Sequence, residues 1–170
     1  MGNWSLACGS RNELTAALPW ASNLCMSFSV KMDLQGFGAL PVQRRCMVLR
    51  SLVEAMVVIN WQFIIESQGP SSPHHLPPML EFHKQRPFKL VEGAEVWRNI
   101  PAILESGGGG LKDFVCWRIA ELRAQGEDEI YPHIKYTADP ENKWGGQYKM
   151  SVRRGDAVED MAQLLGFLKN

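Results

Sequence analysis

The clearest hydrophobic pattern of the chain lies in its first half and predicts a long amphipathic helix. From Val42 onward, apolar residues recur three or four positions apart, which is the spacing of one helical face. They include Cys46, Leu49, Val53, Met56 and Phe63. Pro41 suits the start of a helix, so we predict one from residue 42 to about residue 66.

A second helical pattern follows four consecutive glycines, Gly107 to Gly110. Its apolar residues share one helical face and are followed by Gly126, a natural stop: Leu111, Val115, Ile119 and Leu122. A glycine run offers no side-chain packing and costs backbone entropy. We therefore expect the backbone to approach something closely where the helix N–H groups point outward. The group approached could be a phosphate, an oxyanion or a thiolate. Alternatively, the glycines could remain from a site that has lost its function.

Alternating polar and apolar residues after this helix predict a small antiparallel sheet. Strands are expected at residues 131–136 and 147–153, with a tight turn at Arg154-Gly155-Asp156 leading into residues 157–160 and a last helical turn at 161–168. Helices come first and the sheet follows, which is typical of the α+β class.

The connecting segments carry weaker patterns. Gly69 to Pro78 holds four of the ten prolines and predicts an extended loop. Residues 82–91 predict irregular structure or one edge strand, and residues 95–104 a short helix or turn. Residues 27–33 alternate like a half-buried strand before Gly36 and Gly38 break the pattern. We therefore divide the chain into an N-terminal β-like arm, residues 1–40, and a domain, residues 41–170.

Charge, cysteine content and hydropathy limit the partners and the cellular environment that we expect for this protein. Lys plus Arg equals Asp plus Glu at 18 each, so no basic field attracts nucleic acid. The four cysteines are widely spaced without a C-x-x-C pair, which favours free buried thiols in a reducing cytosol. The apolar stretch Cys46 to Ile65 is interrupted by charged and amide residues and is predicted to fall short of a membrane span. No leader-like segment opens the chain, and we expect a soluble protein.

Several motifs in the second half agree in order and spacing with one family. Leu111-Lys112-Asp113-Phe114 and then Cys116-Trp117-Arg118-Ile119-Ala120-Glu121-Leu122-Arg123 follow the glycine run; Trp97-Arg98-Asn99-Ile100-Pro101 precedes it. Tyr148 to Arg154 matches a family strand, and Glu159-Asp160-Met161-Ala162 with Leu165-Gly166-Phe167 matches the family's ending. Over residues 45–168 the chain resembles the small transglutaminase-like (papain-like) cysteine-peptidase-fold proteins of tailed bacteriophages and prophages.

The resemblance implies a fold and a catalytic arrangement. The fold is a transglutaminase/papain-like core, in which a central helix packs on a small antiparallel sheet. The family's cysteine nucleophile sits at a helix N-terminus, a histidine on a facing strand moves the proton, and an acidic residue orients the imidazole. In this chain Leu111 stands at the nucleophile position and Lys149 at the base position, while Asp160 keeps its identity. The resemblance thus implies a degenerate site without catalytic residues, and a protein that is not an enzyme.

A second thiol leaves an alternative open. Cys116 could act as a nucleophile with His133 or Lys149, which would make the protein an active cysteine hydrolase or acyl transferase. Cys116 lies five residues past Leu111, however, and is therefore rotated by about 140° around the helix. It also lies beyond the strongest effect of the helix dipole, so a buried structural thiol is the favoured interpretation.

Four other features have simple structural interpretations. The glycine run lacks the Lys-Ser/Thr pair of a phosphate loop. Arg154-Gly155-Asp156 is explained by turn chemistry. His74, His75 and His83 are expected to be solvated loop residues, so we predict no metal site and no cofactor. Three tryptophans are expected to anchor the core rather than stack on bases: Trp61, Trp97 and Trp117.

The functional expectation is a non-catalytic bacteriophage virion structural protein, associated with the capsid, the connector or the tail. It would be made in the host cytoplasm and assembled in many copies with other virion proteins, without nucleic acid or membrane as partner. Besides the active Cys116 enzyme, a host-directed interaction protein absent from the particle remains an alternative.

Overall fold

A computed structural model describes residues 5–7, 27–31, 36–68, 76–91, 96–139, 141 and 146–168 of the chain, residues 5–7 by their backbone alone. The helices are α1 Val42–Gln68, α2 Met79–Gln85, α3 Ile100–Ser106, α4 Leu111–Ala124 and α5 Met161–Leu164. The strands are β1 Ser5–Ala7, β2 Ser29–Lys31, β3 Lys89–Leu90, β4 Val96–Arg98, β5 Gly108–Gly109, β6 Ile130–Ala138, β7 Gly146–Arg154 and β8 Ala157–Glu159.

Helix α4, which follows the glycine run, lies at the centre of the molecule. It packs against α1 and against strands β6 and β7. Seven of its residues are completely buried: Asp113, Phe114, Val115, Cys116, Trp117, Ile119 and Ala120. Burial on every side explains why the apolar residues of α4 extend beyond one face. The α+β class is confirmed, and the central helix does pack on a small antiparallel sheet.

That sheet has the strand order β6-β7-β8 and is antiparallel throughout. Ile130 pairs with Arg154 at one end of the β6–β7 ladder and Ala138 with Gly146 at the other. Gly155 forms the turn to β8 with a φ of 56°, a left-handed conformation that suits glycine. The two predicted strands and the turn are confirmed, and each strand is a little longer than the pattern indicated.

Strand β2 joins the N-terminal region to the rest of the molecule. It pairs antiparallel with β1 and with β4. The Phe28 N–H donates to Asn99 Oδ1 at 3.1 Å, and the Phe37 ring meets the Tyr148 ring edge-on. The strand predicted within residues 27–33 is thus present at 29–31. The division of the chain at residue 40 stays a prediction, while the described residues 27–31 and 36–40 contact the domain.

Two predictions for the middle of the chain were right in part. In the segment 82–91, β3 is a short strand as expected, but helix α2 covers residues 82–85; in the segment 95–104, α3 confirms the short helix, but β4 precedes it. Tertiary contacts overrode weak local patterns here. The buried Glu121 carboxylate accepts the Met79 N–H at 2.7 Å at the start of α2, and the Phe82 and Phe88 rings stack 5.4 Å apart. Of the predicted loop, residues 69–75 lie outside the described residues.

Helix α1 is longer and more apolar than expected. An 18-residue window within Val42–Gln68 has a mean hydropathy of 1.5, and by length and composition the helix could cross a membrane. The prediction that this stretch falls short of a span on composition is therefore wrong. Of that window, 39% is buried inside the molecule. Trp61, predicted to be a core anchor, lies on the exposed side of α1, whereas Trp97 and Trp117 are buried.

Candidate functional site

The glycine run is explained by the chain's own backbone. Gly107 ends α3 in the left-handed conformation, with a φ of 68°. Gly108 pairs in parallel with Lys89 of β3, so closely that a Cβ on Gly108 would lie 2.3 Å from the Lys89 carbonyl oxygen. The close approach expected from the sequence is present, but the group approached is a neighbouring strand and not a phosphate.

The N-terminus of α4 is capped by a residue of its own first turn. The Gly110 N–H donates to Asp113 Oδ2 at 2.8 Å, and the Arg98 N–H of β4 donates to Asp113 Oδ1 at 3.2 Å. A carboxylate there satisfies donors and complements the helix dipole. The Gly110 N–H, which an oxyanion would otherwise use, is therefore already occupied by a buried side chain.

Two cations surround this carboxylate. Arg98 Nη1 lies 3.6 Å from Asp113 Oδ2, and Lys112 Nζ lies 3.7 Å from Asp113 Oδ1. Burial raises the pKa of Asp113, against the lowering effect of Lys112 and of the two backbone hydrogen bonds. Burial likewise lowers the pKa of Lys112, whose ammonium lies 5.6 Å above the centre of the Trp97 ring. The cluster joins β4, the glycine run and α4 through internal contacts.

Neither candidate nucleophile position holds a reactive group. Leu111 is the first residue of α4, half-buried, and packs against the apolar core. Cys116 is completely buried and forms no disulfide. Burial in the first place, and the nearby Asp113 carboxylate in the second, raise the pKa of the Cys116 thiol well above its usual value. A protonated thiol without access to solvent is a poor nucleophile.

The base and acid positions form an ion pair. Lys149 Nζ lies 2.6 Å from Asp160 Oδ2, and the other oxygen, Oδ1, accepts the Ala162 N–H at 2.9 Å to cap α5. The hydrogen bond from Lys149 lowers the pKa of Asp160 and outweighs the effect of its partial burial. The Lys149 side chain is 60% exposed, so water solvates its charge as well.

The register of β7 sets Lys149 apart from Leu111. Side chains alternate along a strand, and Tyr148 and Met150 pack against the same apolar core as Leu111. Lys149 therefore lies on the opposite, solvent-facing side of the sheet. Of the three positions that the resemblance points to, the structure brings Lys149 and Asp160 together and places Leu111 on the core side.

A cavity of about 620 Å³ lies elsewhere, between the first half of α1, strand β6 and the turn after β7. Its lining residues are Cys46, Met47, Arg50, Glu129, Tyr131, Pro132, His133, Ile134, Arg153, Gly155 and Asp156. His133 Nδ1 lies 3.2 Å from Ser151 Oγ. The thiol in the lining is thus Cys46 and not Cys116. This cavity arises only from the packing of α1 beside β6, and no motif or spacing in the sequence marks it.

Histidines do not converge on a metal. Among the residues that the structure describes, no group of three or more His, Cys, Asp or Glu side chains is placed to hold an ion. His83 was expected to be a solvated loop residue, and that was wrong. It belongs to α2, accepts the Phe88 N–H through Nδ1 at 3.0 Å and contacts the Phe167 ring. His74 and His75 lie outside the described residues.

No protein-family model, no curated protein and no solved structure matches the chain.

Proposed function

We propose that this protein is a non-catalytic structural component of a tailed-phage particle, built on a degenerate transglutaminase-like core. The family part of the proposal is supported by the ordered motifs between residues 45 and 168. The non-catalytic part is supported by the residues at the three site positions. It needs no bound cofactor or metal.

The ion pair between Lys149 and Asp160 carries the non-catalytic part. A general base must accept a proton, and an ammonium has no lone pair with which to do so. Lys149 Nζ lies 2.6 Å from the Asp160 carboxylate, on the solvent-facing side of the sheet and away from Leu111. Leu111 offers no nucleophile, and the Gly110 N–H is held by Asp113. Nucleophile, base and oxyanion donor are thus each replaced or occupied.

A fold can keep a binding role after its catalytic site is lost, because function resides in sites and surfaces placed on the scaffold. In this proposal the protein is made in the host cytoplasm and contacts other virion proteins of the capsid, connector or tail. Many copies per particle are expected.

Mass spectrometry of purified particles tests the structural role. The expected result is a fixed ratio of this polypeptide to the major capsid protein that survives washing in high salt. Absence from particles, together with its presence in infected cytoplasm, would overturn the proposal and favour a host-directed interaction protein.

Restoring the family residues tests the catalytic part separately. The double variant Leu111→Cys/Lys149→His should remain folded and should show no thiol-dependent hydrolysis of ester or peptide substrates. The physical reason is that Asp113 still occupies the Gly110 N–H and residue 149 still faces away from the core. Cys116→Ala in the same background removes the remaining α4 thiol as a control. Hydrolysis that appears in the double variant and disappears with a thiol-directed inhibitor would contradict this geometry.

A further inference from the structure

Strand β6 forms one edge of the three-stranded sheet, whose order is β6-β7-β8. In an antiparallel ladder, every second residue directs its backbone N–H and C=O toward the neighbouring strand, and the residues between direct theirs away. Glu129, directly before β6, accepts the Gly155 N–H of the opposite strand at 3.1 Å. The odd-numbered residues of β6 therefore face β7, and the even-numbered ones face the free edge.

The backbone groups at this edge are unpaired over part of its length. The Ile130 C=O does point away from β7, since it accepts from Arg123 Nη2 at 2.8 Å. In the part of the chain that the structure describes, no hydrogen bond reaches the Pro132 C=O or either backbone group of Ile134. Proline has no N–H, so the C=O groups of both residues and the Ile134 N–H remain. Unpaired strand edges are templates for a further strand.

The cavity of about 620 Å³ lies along this edge. Four consecutive residues of β6, 131–134, line it, although neighbours on a strand point to opposite faces. A cavity has such a lining where it meets a strand at its edge. The free backbone groups of Pro132 and Ile134 therefore open into a space beside the sheet, where an added strand would lie.

Helix α1 forms the other wall of this space. Near one end of β6, the Arg45 guanidinium lies 5.7 Å from the centre of the Tyr136 ring. Near the other end, Arg123 binds both the Glu54 carboxylate and the Ile130 C=O. Helix α1 thus runs alongside β6 in the opposite direction, and its residues between 45 and 54 are level with the middle of the strand.

Arg50 lies in that stretch, is exposed and lines the cavity. No carboxylate of the described residues forms an ion pair with Arg50, and its guanidinium fits an acidic side chain of an incoming segment. The turn end of the strand is mixed in charge, with Arg153, Glu129 and Asp156 in the lining. The wall of α1 leaves room for a single extended segment, whereas a second copy of this chain would bring its own α1 to the same edge.

We propose that the free edge of β6 binds an extended segment of another polypeptide, which adds to the sheet beside Ile134 and places an acidic side chain next to Arg50. Backbone hydrogen bonds supply the affinity in this mode of recognition, and side chains supply the specificity. The inference goes beyond a role in a phage particle. It rests on β6 and α1 alone, and a partner protein of viral or of host origin satisfies it.

Peptides selected from a random linear library on the immobilised full chain provide the probes, and fluorescence anisotropy of the synthetic peptides measures binding. N-methylation of the peptide backbone should weaken binding about threefold to tenfold at every second residue and have little effect between, because only alternate N–H groups of an added strand reach β6. A selection without binders, or binders without this alternation, would overturn the proposal.

Two proline substitutions test the edge from the side of the protein. Ile134→Pro removes an N–H that faces away from β7 and should weaken peptide binding about tenfold. Lys135→Pro removes an N–H that faces β7, so it should lower the urea midpoint of unfolding more than Ile134→Pro does. Unchanged peptide binding by folded Ile134→Pro would contradict the proposed site. Concentration-dependent self-association of the wild type that Ile134→Pro abolishes would overturn it in favour of a second copy.

Charge reversal on α1 tests the acidic side chain without touching the strand. Arg50→Glu should weaken binding of acidic selected peptides about threefold, as loss of an exposed ion pair does. Arg44→Glu is the matched control, because Arg44 is exposed on the same helix and does not line the cavity. Its effect should stay within about twofold. Equal effects of the two reversals would show that Arg50 does not meet the bound segment.

Discussion

Two acidic residues, Asp113 and Asp160, have opposite surroundings in this molecule. Asp113 is completely buried between Arg98 and Lys112 and accepts two backbone N–H groups. Asp160 lies near the surface, paired with a Lys149 side chain that is 60% exposed. Burial raises the pKa of Asp113, while the hydrogen bond from Lys149 lowers that of Asp160.

The difference shows on which of the two carboxylates the fold depends more. Asp113 connects β4, the glycine run and the first turn of α4, so its loss would leave several buried groups without partners. Asp160 connects β7 to the short helix α5, and water can replace Lys149 as its partner. Asp113 therefore holds the N-terminus of α4 to its neighbours, whereas substitutions at Lys149 and Asp160 should be better tolerated.

The largest effect is expected from Asp113→Ala. The change leaves the N–H groups of Gly110 and Arg98 without an acceptor and two cations without their carboxylate. Breaking a buried charged pair in this way costs about 3 to 5 kcal/mol of unfolding free energy. Urea unfolding followed by tryptophan fluorescence measures the loss.

Asp160→Ala provides the matched comparison for that experiment. It removes a helix cap and an exposed ion pair, for which a loss of about 1 kcal/mol is expected. Equal losses in the two variants would mean that burial does not distinguish the two carboxylates, and the contrast between them would be wrong.

The next effect is expected from Gly108→Ala. A Cβ at this position would lie 2.3 Å from the Lys89 carbonyl oxygen, which is backbone and has little freedom to move aside. Overpacking of this kind costs about 1 to 3 kcal/mol. The same urea titration applies to it.

Gly107→Asn is the control within the same run. Gly107 has a positive φ, but a Cβ added there would meet no atom within 4 Å, and asparagine tolerates the left-handed conformation better than most residues. Its expected loss is below about 1 kcal/mol. If Gly107→Asn cost more than Gly108→Ala, the close approach to β3 would not be the reason for glycine at position 108.

The long helices and the main sheet could be predicted because their own residues carry the pattern. Apolar residues repeat at helical spacing from Cys46 to Phe63 and from Leu111 to Leu122, and polar and apolar residues alternate along much of β6 and β7. Helix α2 has only seven residues and depends on Glu121, forty-two positions away from Met79 in sequence. The residues of α2 alone do not encode such a long-range contact.

The candidate site residues come from the resemblance, which points to Leu111, Lys149 and Asp160. The structure brings Lys149 and Asp160 together and places Leu111 against the apolar core. The partner of Gly108 was missed, because a glycine run alone does not distinguish a bound anion from a neighbouring strand. Only the pairing of β5 with β3 distinguishes them.

The smallest effect, and the one that separates the two carboxylates by sign, is the pH dependence of stability. The folded pKa of Asp160 is lowered, so its stabilising contribution is present above its ordinary value of 3.8 and is lost as pH falls through the folded pKa. Asp160→Asn keeps a capping side chain and should cost about 0.5 kcal/mol at pH 7, with the difference from wild type vanishing in acid.

The folded pKa of Asp113 is raised, so its contribution is fully present below 3.8 and declines as pH rises through the folded pKa. The deficit of Asp113→Asn should therefore shrink as pH rises, whereas that of Asp160→Asn should grow. Urea titrations between pH 3 and pH 7 measure both slopes, and slopes of the same sign would show that the two carboxylates do not differ in the way their surroundings indicate.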